Sequence, residues 1–320
     1  QDSIKIRVDK EGRGKKIKKK IKEIIYNLYI KFSIYDPKKR LLKKLNVSQI
    51  ENEFDLIISS SDPKSAHLLA EKLIKEKPNI TKKWIQYWGD PFLDDINKKS
   101  LFSKKLIKKE EERIISLCDK IVYVSPFTLE KQKKLYNKYS DKMEFLPIPY
   151  IKEKIYKPNK NKNIVLGYFG DYRSQDRNIQ PLYKLVSNNK NIQLNICGNS
   201  NLKLEQKENI NIKARQPLSV IEKMEEKSDI LVCICNSHGN QIPGKVYHYA
   251  ATNKAILIIV DGDKEKELIE YFSKYDRYYM CYNNEKDILE KIKLIKKENI
   301  KFIPLKLLNS KNISSKIIEM

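Results

Sequence analysis

The chain has 320 residues, of which 40% are hydrophobic. That is enough for two domains with a core each and excludes global disorder. No run approaches the roughly 18 consecutive apolar residues of a membrane-spanning helix, and Gln1, Asp2 and Ser3 do not open a signal-like segment. The formal net charge is +24, which excludes no partner by itself but favours anionic ones.

In chain order, residues 4–8 give one weak strand and 17–32 an amphipathic basic helix. Residues 54–58 form an apolar strand, followed by a helix from Pro63 to about Lys77. Residues 84–88 make a second strand, stopped by Gly89, Asp90 and Pro91. Helical spacing runs over 103–117, a third strand over 121–124, and Ser125-Pro126 opens the next helix as cap and first-turn proline. Residues 143–146 end this half. With no initiating Met and few elements before residue 50, upstream sequence is expected to be missing.

A polar connection over 152–163 leads to a second series. Strands are predicted at 164–169, 192–196, 210–213, 230–235 and 255–260. Helices are expected from about Ile179 and near 217–227, 242–252 and 284–297, with a further helix conceivable in the tail. Short β-branched runs alternating with helices predict an α/β protein with parallel sheets. The expected domains are 1–150, lacking its first βα unit, and 151–303. The tail, 304–320, is expected to pack back on the first domain.

Two loops carry candidate chemistry. Gly167-Tyr168-Phe169-Gly170 ends a strand in glycine, where backbone can approach a ligand, and Arg173 and Arg177 follow. A solvated loop has the same composition. Ser237-His238-Gly239-Asn240-Gln241-Ile242-Pro243-Gly244-Lys245 follows another strand and enters a helix. Pro243 and Gly244 suit a helix start, where free N–H groups and Lys245 meet an anion. A plain loop-to-helix junction with a surface lysine is the alternative. Together the loops predict a ligand with two anionic groups, a nucleoside diphosphate with something attached.

With the helix residues Val246-Tyr247-His248-Tyr249 and the segment Ala250–Leu257, these motifs resemble the donor domain of GT-B glycosyltransferases, specifically the retaining family 4. The likeness runs from about residue 54 onward. It implies two Rossmann-like domains facing a cleft, the first incomplete here, and transfer of a sugar from a nucleoside-diphosphate donor to a hydroxyl acceptor. It also implies an enzyme that needs no metal and no cofactor beyond the donor substrate, and retention at the anomeric carbon. Surface polysaccharide, glycolipid or glycoprotein synthesis is the expected setting.

The resemblance implies donor contacts from Gly170, Arg173, Arg177, Ser237, His238, Gln241, Ile242, Pro243, Gly244, Lys245, His248 and Tyr249. Lys245 and Arg177 are expected to stabilise the leaving diphosphate, and Asp90 to contact the acceptor hydroxyl. Two departures stand out. The family's paired glutamates, eight positions apart, are Asn240 and His248 here. The arginine often found after the first loop's glycine is Asp171, with Arg173 as the candidate replacement. A partner subunit that binds nucleotide or a true transferase without turnover is the alternative these departures raise. His67 is expected to be structural, and Trp88 a core residue or a sugar platform.

The five cysteines, Cys118, Cys197, Cys233, Cys235 and Cys281, match no zinc spacing and suggest a reducing, cytoplasmic setting. The patch Arg13, Lys15, Lys16, Lys18, Lys19 and Lys20 suits an anionic membrane surface as a peripheral contact. Compositional bias toward Lys, Ile and Asn explains a high charge equally well. No helix-turn-helix, zinc finger or RNP-like strand accompanies it, so nucleic acid is not an expected partner.

Overall fold

The computed structural model describes residues 21–96, 101–159 and 162–320, apart from 23, 27 and 30. Two compact units divide it: 1–122 with 132–144, and 123–131 with 145–320. The tail 304–320 belongs to the second unit, where Tyr150 and Leu308, and Ser310 and Tyr150, are joined by backbone bonds of 2.9 and 2.8 Å. The strand expected at 4–8 and the basic patch at 13–20 lie outside the described residues, and the described residues between 21 and 31 are helical.

The first unit holds a sheet in the order β1 (Ile57–Ser60), β2 (Trp84–Trp88), β3 (Lys120–Tyr123), β4 (Met143–Phe145). Strands β1 and β2 run parallel. β1 begins three residues later than expected, because Phe54 makes only an isolated bridge to Thr81 and Asp55 turns outward to Lys82 at 2.7 Å. Its helix begins at Ser65, two residues past Pro63, whose carbonyl accepts from Ala66 N. The helix Lys104–Ser116 starts on Ser103, whose hydroxyl caps Leu106 N. It buries Ile107 and Ile114 as its spacing predicts, and Ile115 beside them, while Leu106 and Leu117, apolar positions of the same spacing, are exposed.

The second unit is a six-stranded sheet ordered β10-β9-β8-β5-β6-β7, with every pair parallel. Its strands are β5 (Ile164–Tyr168), β6 (Ile192–Cys197), β7 (Ile210–Lys213), β8 (Ile230–Ile234), β9 (Ala255–Val260) and β10 (Tyr279–Tyr282). Strands β8 and β9 are buried almost throughout, as a sheet covered on both faces requires. One core packs on each face, around Phe169, Val246 and Phe272 on one side and Leu166, Leu182 and Ile292 on the other. Three helices match their expected spans: Gln180–Ser187, Leu218–Lys227 and Glu285–Glu298. A helix at Glu265–Ser273 and strand β10 were not expected. The helix expected over 242–252 is shorter, Lys245–Tyr249. Pro243 offers no N–H before it, and after it Thr252 takes the Tyr249 carbonyl with both its N–H, at 2.9 Å, and its hydroxyl, at 2.8 Å.

Candidate donor site at the carboxyl ends of β5 and β8

Strand β5 pairs with β6 on one side and β8 on the other. The chain therefore leaves β5 and β8 in opposite directions, and a crevice opens at their carboxyl ends, where open α/β sheets bind ligands. Both predicted loops start there.

The glycines divide by role. A Cβ on Gly167 would overlap Ser228 Oγ and lie 2.7 Å from Phe169 Cζ, so this residue is fixed by packing. At Gly170 a Cβ would meet nothing nearer than the Tyr168 hydroxyl at 3.8 Å. No neighbour among the described residues demands glycine there. A third glycine, Gly198 at the end of β6, had no signal in the sequence: its Cβ would overlap the Gly170 carbonyl. Its bareness lets the first loop lie down on β6.

Arg177 reaches back over this crevice. Its Nε donates to Asn236 Oδ1 at 2.8 Å and its Nη1 to the Asp171 carbonyl at 3.4 Å. Asn236, 8% exposed, also donates from Nδ2 to the Gln241 carbonyl at 3.1 Å. One amide thus ties the arginine of the first loop to the backbone of the second. Ser237 adds two ties, its N–H to the Asp176 carbonyl at 2.8 Å and its hydroxyl to the Gln175 carbonyl at 2.9 Å. The Ser237 hydroxyl is therefore spent on the loop.

Arg173 is exposed and pairs with Asp176 at 3.4 Å. Asp171, at the position of the family's arginine, accepts from Asn199 N at 2.9 Å and pairs with Arg215 at 2.5 Å. That brings Arg215, which no motif marked, to the rim. His238 is exposed, 3.3 Å from Ser237 Oγ and 3.7 Å from Asp176. Ile242, Pro243 and Tyr249 are buried, and the first and last pack in the core under the loop.

Lys245 is half-buried, its ammonium 5.6 Å from the Tyr249 ring centroid. Burial holds its pKa below the ordinary lysine value, and nearby Lys154 acts the same way while Glu225 opposes. The turn itself uses the N–H groups of Val246, Tyr247 and His248 on the Pro243 and Gly244 carbonyls. The Asn240 carbonyl is pinned by Ser125 Oγ at 2.5 Å and Thr128 Oγ1 at 3.1 Å. Ser125-Pro126 reads in sequence only as a helix cap, so this anchor was missed. His248 is exposed, and its surroundings, then Lys245 and Lys154, push its imidazole below the usual range.

In the first unit Asp90 follows β2, half-buried, close enough to Lys64 to act on its charge. Lys64 is 5% exposed and paired with Asp95 at 2.8 Å and Asp62 at 3.2 Å. Burial works to lower its pKa, and Asp95, Asp62 and Asp90 outweigh burial and raise it. Trp88 is fully buried, stacked on His67 at 4.3 Å and donating to Gln86 at 3.0 Å, so it is a core residue. His67 is also fully buried and shares a 2.7 Å bond with Ser59, a structural role.

No protein-family model matches the sequence, and no curated protein is similar to it. Solved structures do match. HepE from Anabaena, crystallised with UDP and glucose, superimposes with a TM-score of 0.60 and 11% identity, over 88% of this chain and 80% of that one. A glycosyltransferase from Rickettsia africae gives 0.55 and 12%, over 89% and 80%. The lipopolysaccharide outer core galactosyltransferase WaaB gives 0.53 and 12%, over 88% and 80%. The fold is of the GT-B type. In this GT-B chain the expected Rossmann-like sheets are present, and the two predicted loops meet at the switch point of the second.

Proposed function

We propose that the protein is a glycosyltransferase that takes a sugar from a nucleoside-diphosphate donor, with UDP-sugars the first to test, and passes it to a hydroxyl of a sugar, lipid-linked or protein acceptor. One observation carries the reading: Asn236 fixes Arg177 against the second loop at the switch point, beside a glycine that no described neighbour requires. When the bond to the anomeric carbon breaks, charge gathers on the leaving diphosphate. Arg177 is held in place before that happens, so it stabilises the charge without reorganising. Lys245 supplies the second cation, and burial, which lowers its pKa, is a penalty that an anion beside it would offset. Two cations held by the protein serve the leaving group without a metal. Asp90 serves the acceptor hydroxyl.

The proposed setting is the cytoplasmic face of a membrane. Among the described residues no helix is long and apolar enough to cross one. Ile21, Ile25, Leu28 and Phe32 recur at helical spacing and are each at least half exposed, beside Lys22 and Lys31. An apolar stripe with flanking lysines suits an anionic lipid surface.

Lys245→Ala tests the catalytic reading through release of nucleoside diphosphate from UDP-sugars with a hydroxyl acceptor. A fall of roughly 10²-fold in kcat is expected for loss of one charge-stabilising group. Unchanged turnover together with unchanged donor affinity would sink the assignment.

A further inference from the structure

The opposite edge of the second unit's sheet holds a cavity of about 720 Å³ at the amino ends of β5, β8 and β9. Lysines 157, 162, 254, 296 and 301 line it, with Asp229 the single carboxylate among its lining residues. Asp229 is already engaged, accepting from Val165 N at 2.9 Å and Asn159 Nδ2 at 3.1 Å. Lys157, Lys162, Lys296 and Lys301 are exposed at the rim, and no ion pair holds any of them among the described residues. Lys296 sits in the last turn of the helix Glu285–Glu298, where a cation offsets the helix dipole. The other three lie outside that helix, so the dipole does not account for them.

The wall of the cavity adds a cation without a counter-ion among the described residues. Phe302 lines the cavity, and the guanidinium of Arg277 stacks on its ring at 4.5 Å. Arg277 is 4% exposed and donates from Nη2 to the Thr252 and Lys254 carbonyls, each at 2.8 Å. Its Nε and Nη1 are buried without a partner. A buried charge is ordinarily paired. Among the described residues this one meets two backbone carbonyls and a ring, so its field adds to that of the lysines. Lys254, 7% exposed, likewise bonds a carbonyl, that of Glu226 at 2.8 Å, and lies over the Tyr156 ring at 5.5 Å.

We infer that this cavity is a second anion site, separate from the crevice at the carboxyl edge, and that it takes a ligand carrying two or more phosphate groups. Lysine ammonium groups on flexible stems bind phosphate as point charges, and five of them around one hydrogen-bonded carboxylate focus anions. Phe302, Tyr156 and Ile230 give the floor an apolar surface for whatever the phosphates carry.

The probe is tripolyphosphate, titrated calorimetrically into the full chain, the variant Lys157→Glu/Lys296→Glu/Lys301→Glu, and Arg177→Ala. The wild type is expected to bind two equivalents, both weakened by salt. Arg177→Ala loses one and the triple variant the other, each by at least about tenfold. Because those three side chains are exposed, the triple variant should fold, and a thermal melt checks it; Lys296→Gln/Lys301→Gln is the milder second variant. A parallel arm measures retention on vesicles containing cardiolipin, whose headgroup carries two phosphates. Loss of tripolyphosphate binding alone assigns the site to a soluble ligand, and loss of both to a phosphorylated lipid. Tripolyphosphate binding that is unchanged in both lysine variants overturns the proposal, whatever Arg177→Ala does.

Discussion

Asn236→Ala removes the acceptor that holds Arg177 Nε at 2.8 Å and the donor that holds the Gln241 carbonyl at 3.1 Å. A bond from a charged donor contributes about 1.5–3 kcal/mol. If that energy positions the arginine for the diphosphate, donor binding weakens by about 10- to 100-fold, at 1.4 kcal/mol per factor of ten. Asn236→Asp keeps an acceptor for Arg177 but loses the donor to Gln241, and its carboxylate competes with the phosphates for the arginine. It should therefore fold near wild type and still bind donor poorly. The assay is calorimetric titration of UDP and UDP-glucose, alongside kcat and KM. An Asn236→Ala protein that folds and binds donor as the wild type does refutes the reasoning, because Arg177 would then be oriented by something else.

Further outcomes follow from the same geometry. Gly198→Ala forces a methyl against the Gly170 carbonyl and should cost about 1–3 kcal/mol in a melt and weaken donor binding, while Gly170→Ala should fold normally and lose donor affinity alone. Glu111 is fully buried, accepts from Phe92 N, Leu93 N and Tyr136 OH, and burial raises its pKa from 4.5 to about 7. Its folded value lies above its unfolded one, so its contribution is full below pH 4.5 and falls away as pH rises through about 7. Melts at pH 5 and 8 should show the penalty of Glu111→Gln shrinking at the higher pH; a constant penalty contradicts the buried-acid reading. Ile25→Glu/Leu28→Glu changes exposed positions and should leave the melt unchanged while abolishing retention on anionic vesicles, and equal retention excludes the membrane face.

The sheet of the second unit was legible because its strands are short runs rich in Ile, Val and Leu that alternate with helical stretches. The unexpected strand β10 is an edge strand with only Cys281 buried, and its Tyr279-Met280-Cys281-Tyr282 has no Ile, Val or Leu of the kind that marked the other strands. The start of β1 was misplaced because Phe54 looks like strand in sequence, yet it is 42% exposed and held by one bridge. At the site, Arg177 and Lys245 stood out by charge and by their place after strands. Asn236, Gly198 and Ser125 did not. Their roles come from partners distant in the chain, and in a sequence rich in Asn a single asparagine carries no mark. Ile242, Pro243 and Tyr249, expected against the donor, are buried, and the Ile242 and Tyr249 side chains pack in the core, so any contact with a donor would come from their backbone.

The central claim is that the carboxyl ends of β5 and β8 grip a nucleoside diphosphate through Arg177 and Lys245. A thermal-shift panel of UDP-, GDP-, CDP- and ADP-glucose on the wild type and on Arg177→Ala/Lys245→Ala tests it most directly. A donor at 100 times its dissociation constant stabilises the wild type by roughly 2.7 kcal/mol, and the double variant should show no shift. A shift of equal size in the double variant, or none in the wild type with any member of the panel, contradicts the account.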